Sequence, residues 1–315
     1  MKLTITFFLL LFIFQAKGQS ITKYYDYTWK ECESNYARFF SVITKTDSGY
    51  TRYDYFIANK TLQMKGKYDD IDCKIPNGYF YYFHANEMLL SRGGYVHGKK
   101  DGLWLSYHVN GMMSDSALYK QGKVLGTSLS WHPNGFLKDS TVLNEKGSGV
   151  QVTWFDNGNP SSAGYLSDGE QPNGKWKYYH KNGEVSSVEV YNEGKLMDKT
   201  YFDENGKQIS DTTSRDANAS FPGGISAWQN YLSDKLYFPD QYKFTNGDKA
   251  VVAVTFSINE EGKVENVYAS TPFHQAFDKI AENVIRKSPK WIPAKQHNRK
   301  VAYWVRQPVV FSQPE

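Results

Sequence analysis

The sequence predicts a mainly β chain that ends in an α+β module. Two observations carry this. From about Arg52 to Ile209 an aromatic residue precedes an asparagine by three positions again and again: Phe56/Asn59, Phe83/Asn86, Tyr107/Asn110, Trp131/Asn134, Trp154/Asn157, Tyr179/Asn182 and Phe202/Asn205. The spacing of about 24 residues lies in the range of stacked structural repeats. From Ala250 to Phe311 the pattern changes to alternating strands around one amphipathic helical stripe. Composition agrees: 16% of the 315 residues are aromatic and 24 are tyrosine, which favours aromatic-packed sheets over a helical bundle.

Met1 to Gly18 reads as a signal peptide. Lys2 supplies the positive start, and Leu3 to Phe14 is an apolar core too short to span a bilayer of about 30 Å. Ala16-Lys17-Gly18 sets small residues at cleavage spacing, which predicts cleavage before Gln19. Residues 19–50 are expected to form a cap, with Trp29, Tyr36, Phe39 and Phe40 packing a short helix onto the adjoining repeats. Cys32 and Cys73 are the two cysteines. An exported chain can oxidise such a pair, so one disulfide and two separate thiols both stay open.

Residues 51–209 form the repeats. Five of the asparagines are followed by Gly111, Gly135, Gly158, Gly183 and Gly206, which predicts hairpin turns of type I′ with positive φ at both central residues. Asn59-Lys60 and Asn86-Glu87 depart from the pattern. A second glycine lies five residues before most of the aromatics: Gly78, Gly102, Gly126, Gly149 and Gly174. One hairpin cannot bury its own aromatic face, so the units should stack into one sheet. Gly102, Trp104 and Tyr107 form a Gly-x-Trp-x-x-Tyr copy, and on this motif the segment resembles the MORN-repeat variant family of hairpin repeats.

Residues 210–219 are polar and aperiodic and read as a linker. Residues 220–315 then read as α-β-β-α-β. A helix is expected from Gly224 to Leu236. Val252, Val254, Phe256 and Ile258 alternate on a strand, and Asn259 to Gly262 makes a turn into a second strand, Lys263 to Ala269. Phe277, Ile280, Ala281, Val284 and Ile285 line one face of a second helix, which Pro289 stops. The last strand runs from about Lys300 to Phe311 and contains Pro308, which places it at a sheet edge.

This segment resembles the TonB C-terminal domain family. The matching residues are Phe238-Pro239, Gly247, Val252, Val254, Phe256, Gly262, Val264, Val267, Phe277, Ala281 and the run Trp291-Ile292-Pro293-Ala294. The resemblance implies an exported protein of the periplasm or cell envelope of the Gram-negative type. It further implies an outer-membrane TonB-dependent transporter, or another envelope protein, as partner, bound by strand addition at the last strand. Arg299, Lys300, Tyr303, Val305 and Arg306 are the partner-binding candidates. Phe238, Pro239, Gly262, Trp291, Pro293 and Ala294 form the structural signature. A second copy of the chain could occupy the same edge, and a scaffold that binds without transducing energy is the alternative reading.

Other chemistry is weighed and set aside. His84, His108, His132 and His180 share one repeat position. Equivalent residues two strands apart sit roughly 10 Å apart, whereas zinc ligands lie about 2.1 Å from the ion. A consensus role beside the turn is therefore expected. No nucleophile elbow or phosphate loop occurs, so no enzyme, cofactor or metal is expected; an enzyme acting on envelope glycans is the remote reading. The net charge of +4 gives no push towards nucleic acid. Arg286, Lys287, Lys290, Lys295, Arg299 and Lys300 form a basic run, read as a solvated face with acidic-partner docking as the functional option.

Overall fold

The computed structural model describes residues 20–244 and 249–313. Residues 1–18, read from sequence as a signal peptide, and Gly247 of the family pattern lie outside those residues.

From Ser20 to Ile209 the chain is one antiparallel meander, each strand pairing with the next in sequence except that the two-residue strand Lys123–Val124 and the following Gly126–Trp131 both pair with Met113–Lys120. Strands Ser20–Tyr25 and Phe39–Thr46 already belong to this sheet, so the N-terminal stretch is sheet where a short helical cap was expected. The physical reason lies in the alternation of Phe39, Ser41 and Ile43. All three are buried on one face, a period of two that continues the repeat core.

The two rims of the sheet use different turns. On the asparagine rim only the residue after the asparagine has positive φ, for example Gly111 at 82° and Gly135 at 88°. Gly111 N–H donates to the His108 carbonyl, and pairing slips between Ser106 and Tyr107. That is a type I turn with a glycine bulge, not the expected type I′. Six of the seven asparagines instead accept from the amide two residues on, as Asn110 Oδ1 does from Met112 N at 3.1 Å, while in the last unit Asp203 Oδ1 accepts from Asn205 N and Lys207 N. The type I′ turns lie on the opposite rim, where His97-Gly98, Gln121-Gly122 and Glu193-Gly194 all have positive φ at both residues.

Neighbouring units are fastened along the asparagine rim. Asn110 Nδ2 donates to the Pro133 carbonyl at 2.8 Å, and Asn134 Nδ2 to the Asp156 carbonyl at 2.7 Å. His108 Nε2 bonds the Trp131 carbonyl at 2.8 Å, and His132 Nε2 the Trp154 carbonyl at 2.9 Å. The repeated histidines are therefore ties between hairpins.

The C-terminal module holds helix α1 (Gly224–Lys235), helix α2 (Gln275–Arg286) and a three-stranded antiparallel sheet. Strand Lys249–Ile258 is central, between Val264–Thr271 and Tyr303–Ser312. Val252, Val254, Phe256 and Ile258 face the α2 stripe of Phe277, Ile280, Ala281, Val284 and Ile285 in one core. The opposite face of the central strand is covered as well: Ala253 and Ser257 are buried, although the alternation predicts a half-buried strand. The residues between the sheets are not a free linker. Ala217 and Lys295 exchange backbone hydrogen bonds, and so do Ser220 and Ile292. A short hairpin, Ala294–Gln296 with Arg299–Val301, turns at His297-Asn298.

Candidate functional site

The last strand, Tyr303–Ser312, is bonded on one side only, to the central strand, from Tyr303↔Ile258 to Ser312↔Lys249. Its other side is an open edge among the described residues. Pro308 lies in this strand opposite Ala253, where an edge position tolerates its missing donor. Val305, Val309 and Phe311 point into the core, while Trp304, Arg306 and Val310 point outward.

The residues nominated from sequence separate into four groups. Tyr303 and Val305 stand on the edge strand, but Val305 packs against the core. Its side chain anchors the strand, so Val305→Pro would damage the fold as well as the edge. Arg306 is tied down, donating from Nη2 to the Tyr27 carbonyl at 3.2 Å and to Thr271 Oγ1 at 3.0 Å. Lys300 is exposed, 3.7 Å from Glu204.

Arg299 is placed differently from the expectation. It is 8% exposed, pressed against the repeat sheet over the rings of Tyr178 and Phe155, with Nη2 donating to Ser161 Oγ at 3.1 Å. Burial pulls its guanidinium down to about 10, against the pull of Tyr178 and Glu189. It belongs to a contact within the chain, not to an exposed basic face. The other members of the basic run, Arg286, Lys287, Lys290, Lys295 and Lys300, are exposed.

Around Arg299 the hairpin tip docks into the repeat sheet. His297 stacks on Tyr178 with ring centres 3.7 Å apart, and its Nδ1 lies 3.0 Å from Glu189 Oε2. Burial alone would raise the Glu189 carboxyl, but hydrogen bonds from His297, Tyr191 and Ser187 hold it below the usual carboxylate range. Asn298 Nδ2 donates to the carbonyls of Ser186 and Phe202. Nothing in the sequence pairs Glu189 with His297, 108 positions apart.

Two further contacts hold the module. Lys181 bridges Asp156 at 2.9 Å and Glu260 at 2.7 Å. Arg38, also buried, donates from Nε to the Val251 carbonyl at 3.3 Å and lies over the Phe273 ring.

The signature residues have structural reasons. Trp291 is 8% exposed, against Phe221, Trp228 and Phe256, and donates from Nε1 to Ser288 Oγ at 3.1 Å. Gly262 has φ +79°, and a Cβ there would sit 2.1 Å from the Trp291 carbonyl oxygen. Trp291 N–H in turn donates to the Gly262 carbonyl, so the glycine turn and the tryptophan segment are one contact. Ala294 is buried, Phe238 packs edge-on against Phe277, and Pro239 accepts from Tyr242 N. Pro293 is half-buried between Ile292 and Ala294. Cys32 and Cys73 are free thiols.

Geometry thus defines a repeat sheet carrying an α/β module whose three-stranded sheet has two edge strands, Val264–Thr271 and Tyr303–Ser312. Residues 235–312 match the family described as the Gram-negative bacterial TonB protein C-terminal. That family is envelope-associated and non-enzymatic. No curated protein matches the chain. Among solved structures, that of accessory secretory proteins 1, 2 and 3 of Streptococcus pneumoniae shares 12% identity at a TM-score of 0.15. The match covers 42% of this chain and 21% of that chain, and a likeness at that level defines no shared fold. No helix among the described residues is long and apolar enough to cross a membrane.

Proposed function

We propose that this is a TonB-like envelope protein whose last strand takes up an extended segment of an outer-membrane transporter. The observation that carries the reading is the one-sided pairing of Tyr303–Ser312 within the segment that matches the family. An open edge offers unpaired N–H and C=O groups in register, and an extended peptide completes them. Exposed Lys300 adds attraction for an acidic flank, felt mainly in the on-rate and weakened by salt.

The second reading is an envelope scaffold that binds without transmitting force. It is favoured by one observation, the clamp of Arg299, His297 and Lys181 between module and repeat sheet. Amide NMR on the full chain, titrated with N-terminal transporter peptides, tests the docking edge. Shifts along Tyr303–Ser312 with α2 unmoved are expected. Shifts confined to the repeats, or none at the last strand, would overturn strand addition. Shifts at that strand that depend on protein concentration alone would assign the edge to a second copy.

A further inference from the structure

The repeat sheet carries a row of rings, and the row is interrupted. Two residues after its entry glycine, each unit places one side chain on the inner face: Phe80, Trp104, Ser128, Gln151 and Trp176. The three rings lie flat over a glycine of the preceding strand. A Cβ at Gly66, Gly93 or Gly164 would come within 2.1–2.2 Å of the ring of Phe80, Trp104 or Trp176. In the two middle units the ring is absent, and the facing positions hold Ala117 and Thr141 where the others hold glycine. Both halves of the ring-on-glycine pair have changed together. What remains is a cleft of about 560 Å³ floored by polar groups.

We infer that this cleft is a binding site for a neutral glycan, one that sets a sugar ring where two aromatic rings are missing. Its volume lies within the roughly 300–1,000 Å³ of small-molecule sites. Its footprint is that of flat rings laid on a sheet, and a pyranose offers such a shape, with an apolar C–H face and a rim of hydroxyls. Asp139 supplies preset acceptors: Thr141 Oγ1 donates to its Oδ1 at 2.7 Å and Gln151 Nε2 to its Oδ2 at 2.6 Å. Each carboxylate oxygen accepts more than one hydrogen bond, so capacity is left for a ligand hydroxyl. Asp115, exposed at the cleft, adds a second carboxylate, and Ser106 and Ser130 add hydroxyls. Tyr119 and Leu166 form apolar walls. Three carboxylates, those of Asp115, Asp139 and Glu170, against the single amine of Lys138 disfavour a phosphorylated or anionic ligand. No residue of the C-terminal module lines the cleft, so this site is separate from the strand edge.

Calorimetric titration of the full chain with cellohexaose, maltohexaose, chitohexaose and mannohexaose tests this. At least one should bind at submillimolar to millimolar concentration. Asp115→Ala, at an exposed side chain with little role in the fold, should weaken binding about tenfold through the lost charged acceptor. Gln151→Trp combined with Thr141→Gly, which restores both the ring and the glycine beneath it, should abolish it, while Trp304→Ala at the strand edge leaves it intact. Near-ultraviolet circular dichroism confirms that each variant keeps its packing. No binding by any of the four sugars at millimolar concentration, or binding untouched by Asp115→Ala, would overturn the site. Peptide docking at the last strand would be unaffected by either outcome.

Discussion

At the scale of single residues, the contacts that matter most are those a Cβ or a proton would disturb. Gly262 is held at positive φ with the Trp291 carbonyl pressed against it. Gly262→Ala therefore meets both backbone strain and a clash, and should lose about 1–3 kcal/mol in denaturant melts. Two carboxyls give opposite pH signatures. Glu189 is depressed by its donors, so its stabilisation is present above the unfolded carboxylate pKa of about 4.3 and is lost as pH falls through its lower folded value. Asp278 is pushed up to about 6, chiefly by burial and despite the amides of Phe273 and His274. Its contribution is fully present below the unfolded value of about 3.9 and is lost as pH rises towards 6. Asp278→Asn should thus flatten the stability profile between about pH 4 and 6, and Glu189→Gln should flatten it below about pH 4. Chemical melts across pH check both, and an unchanged profile would refute the assignment.

At the scale of elements, hairpin and helix are specified by different residues. Gly135 supplies the positive φ of its bulge, and a Cβ there would also sit 2.7 Å from Met112 Cε. Gly135→Val should cost about 1–3 kcal/mol and reduce amide protection at Trp131 and Leu137. Hydrogen exchange measures this directly, and parental protection would show that the turn assignment is mistaken. Trp291 joins α1, through Trp228, to the central strand, through Phe256. Trp291→Ala should cost about 3–5 kcal/mol, and a loss below about 1 kcal/mol in thermal melts would contradict its place in the core.

At the scale of the whole molecule, the repeat sheet and the module form one connected body. Arg38 meets the central strand at Val251, and Lys181 meets its far end at Glu260. Along the sheet those two contacts are eleven strand steps apart, roughly 50 Å, while along the central strand they are nine residues apart, roughly 30 Å. A single cooperative unfolding transition is expected for the full chain by calorimetry. Lys181→Ala leaves the buried Glu260 carboxylate without its partner, at a cost of about 1–3 kcal/mol. Combined with Arg299→Ala it should split the transition in two, whereas one unaltered transition would mean the clamp contributes little.

Local features of this protein are legible in its amino acids alone. Period-two runs such as Val252 to Ile258, the α2 stripe, the unit length and the Gly262 turn each arise from neighbours a few residues apart, because backbone geometry fixes which side chains share a face. The edge position of the last strand is legible from Pro308, since a missing donor is tolerated only where no partner waits. Turn type is not legible in this way. Asn-Gly serves a type I bulge as readily as a type I′ turn, and the strand register decides between them. The role of Arg299 emerges only on folding. In the sequence it is one of a basic run; in the fold it is buried because the hairpin beyond Trp291 reaches Tyr178 and Ser161, more than a hundred residues earlier. The same holds for Glu189 with His297, which are 108 positions apart until the module docks on the sheet.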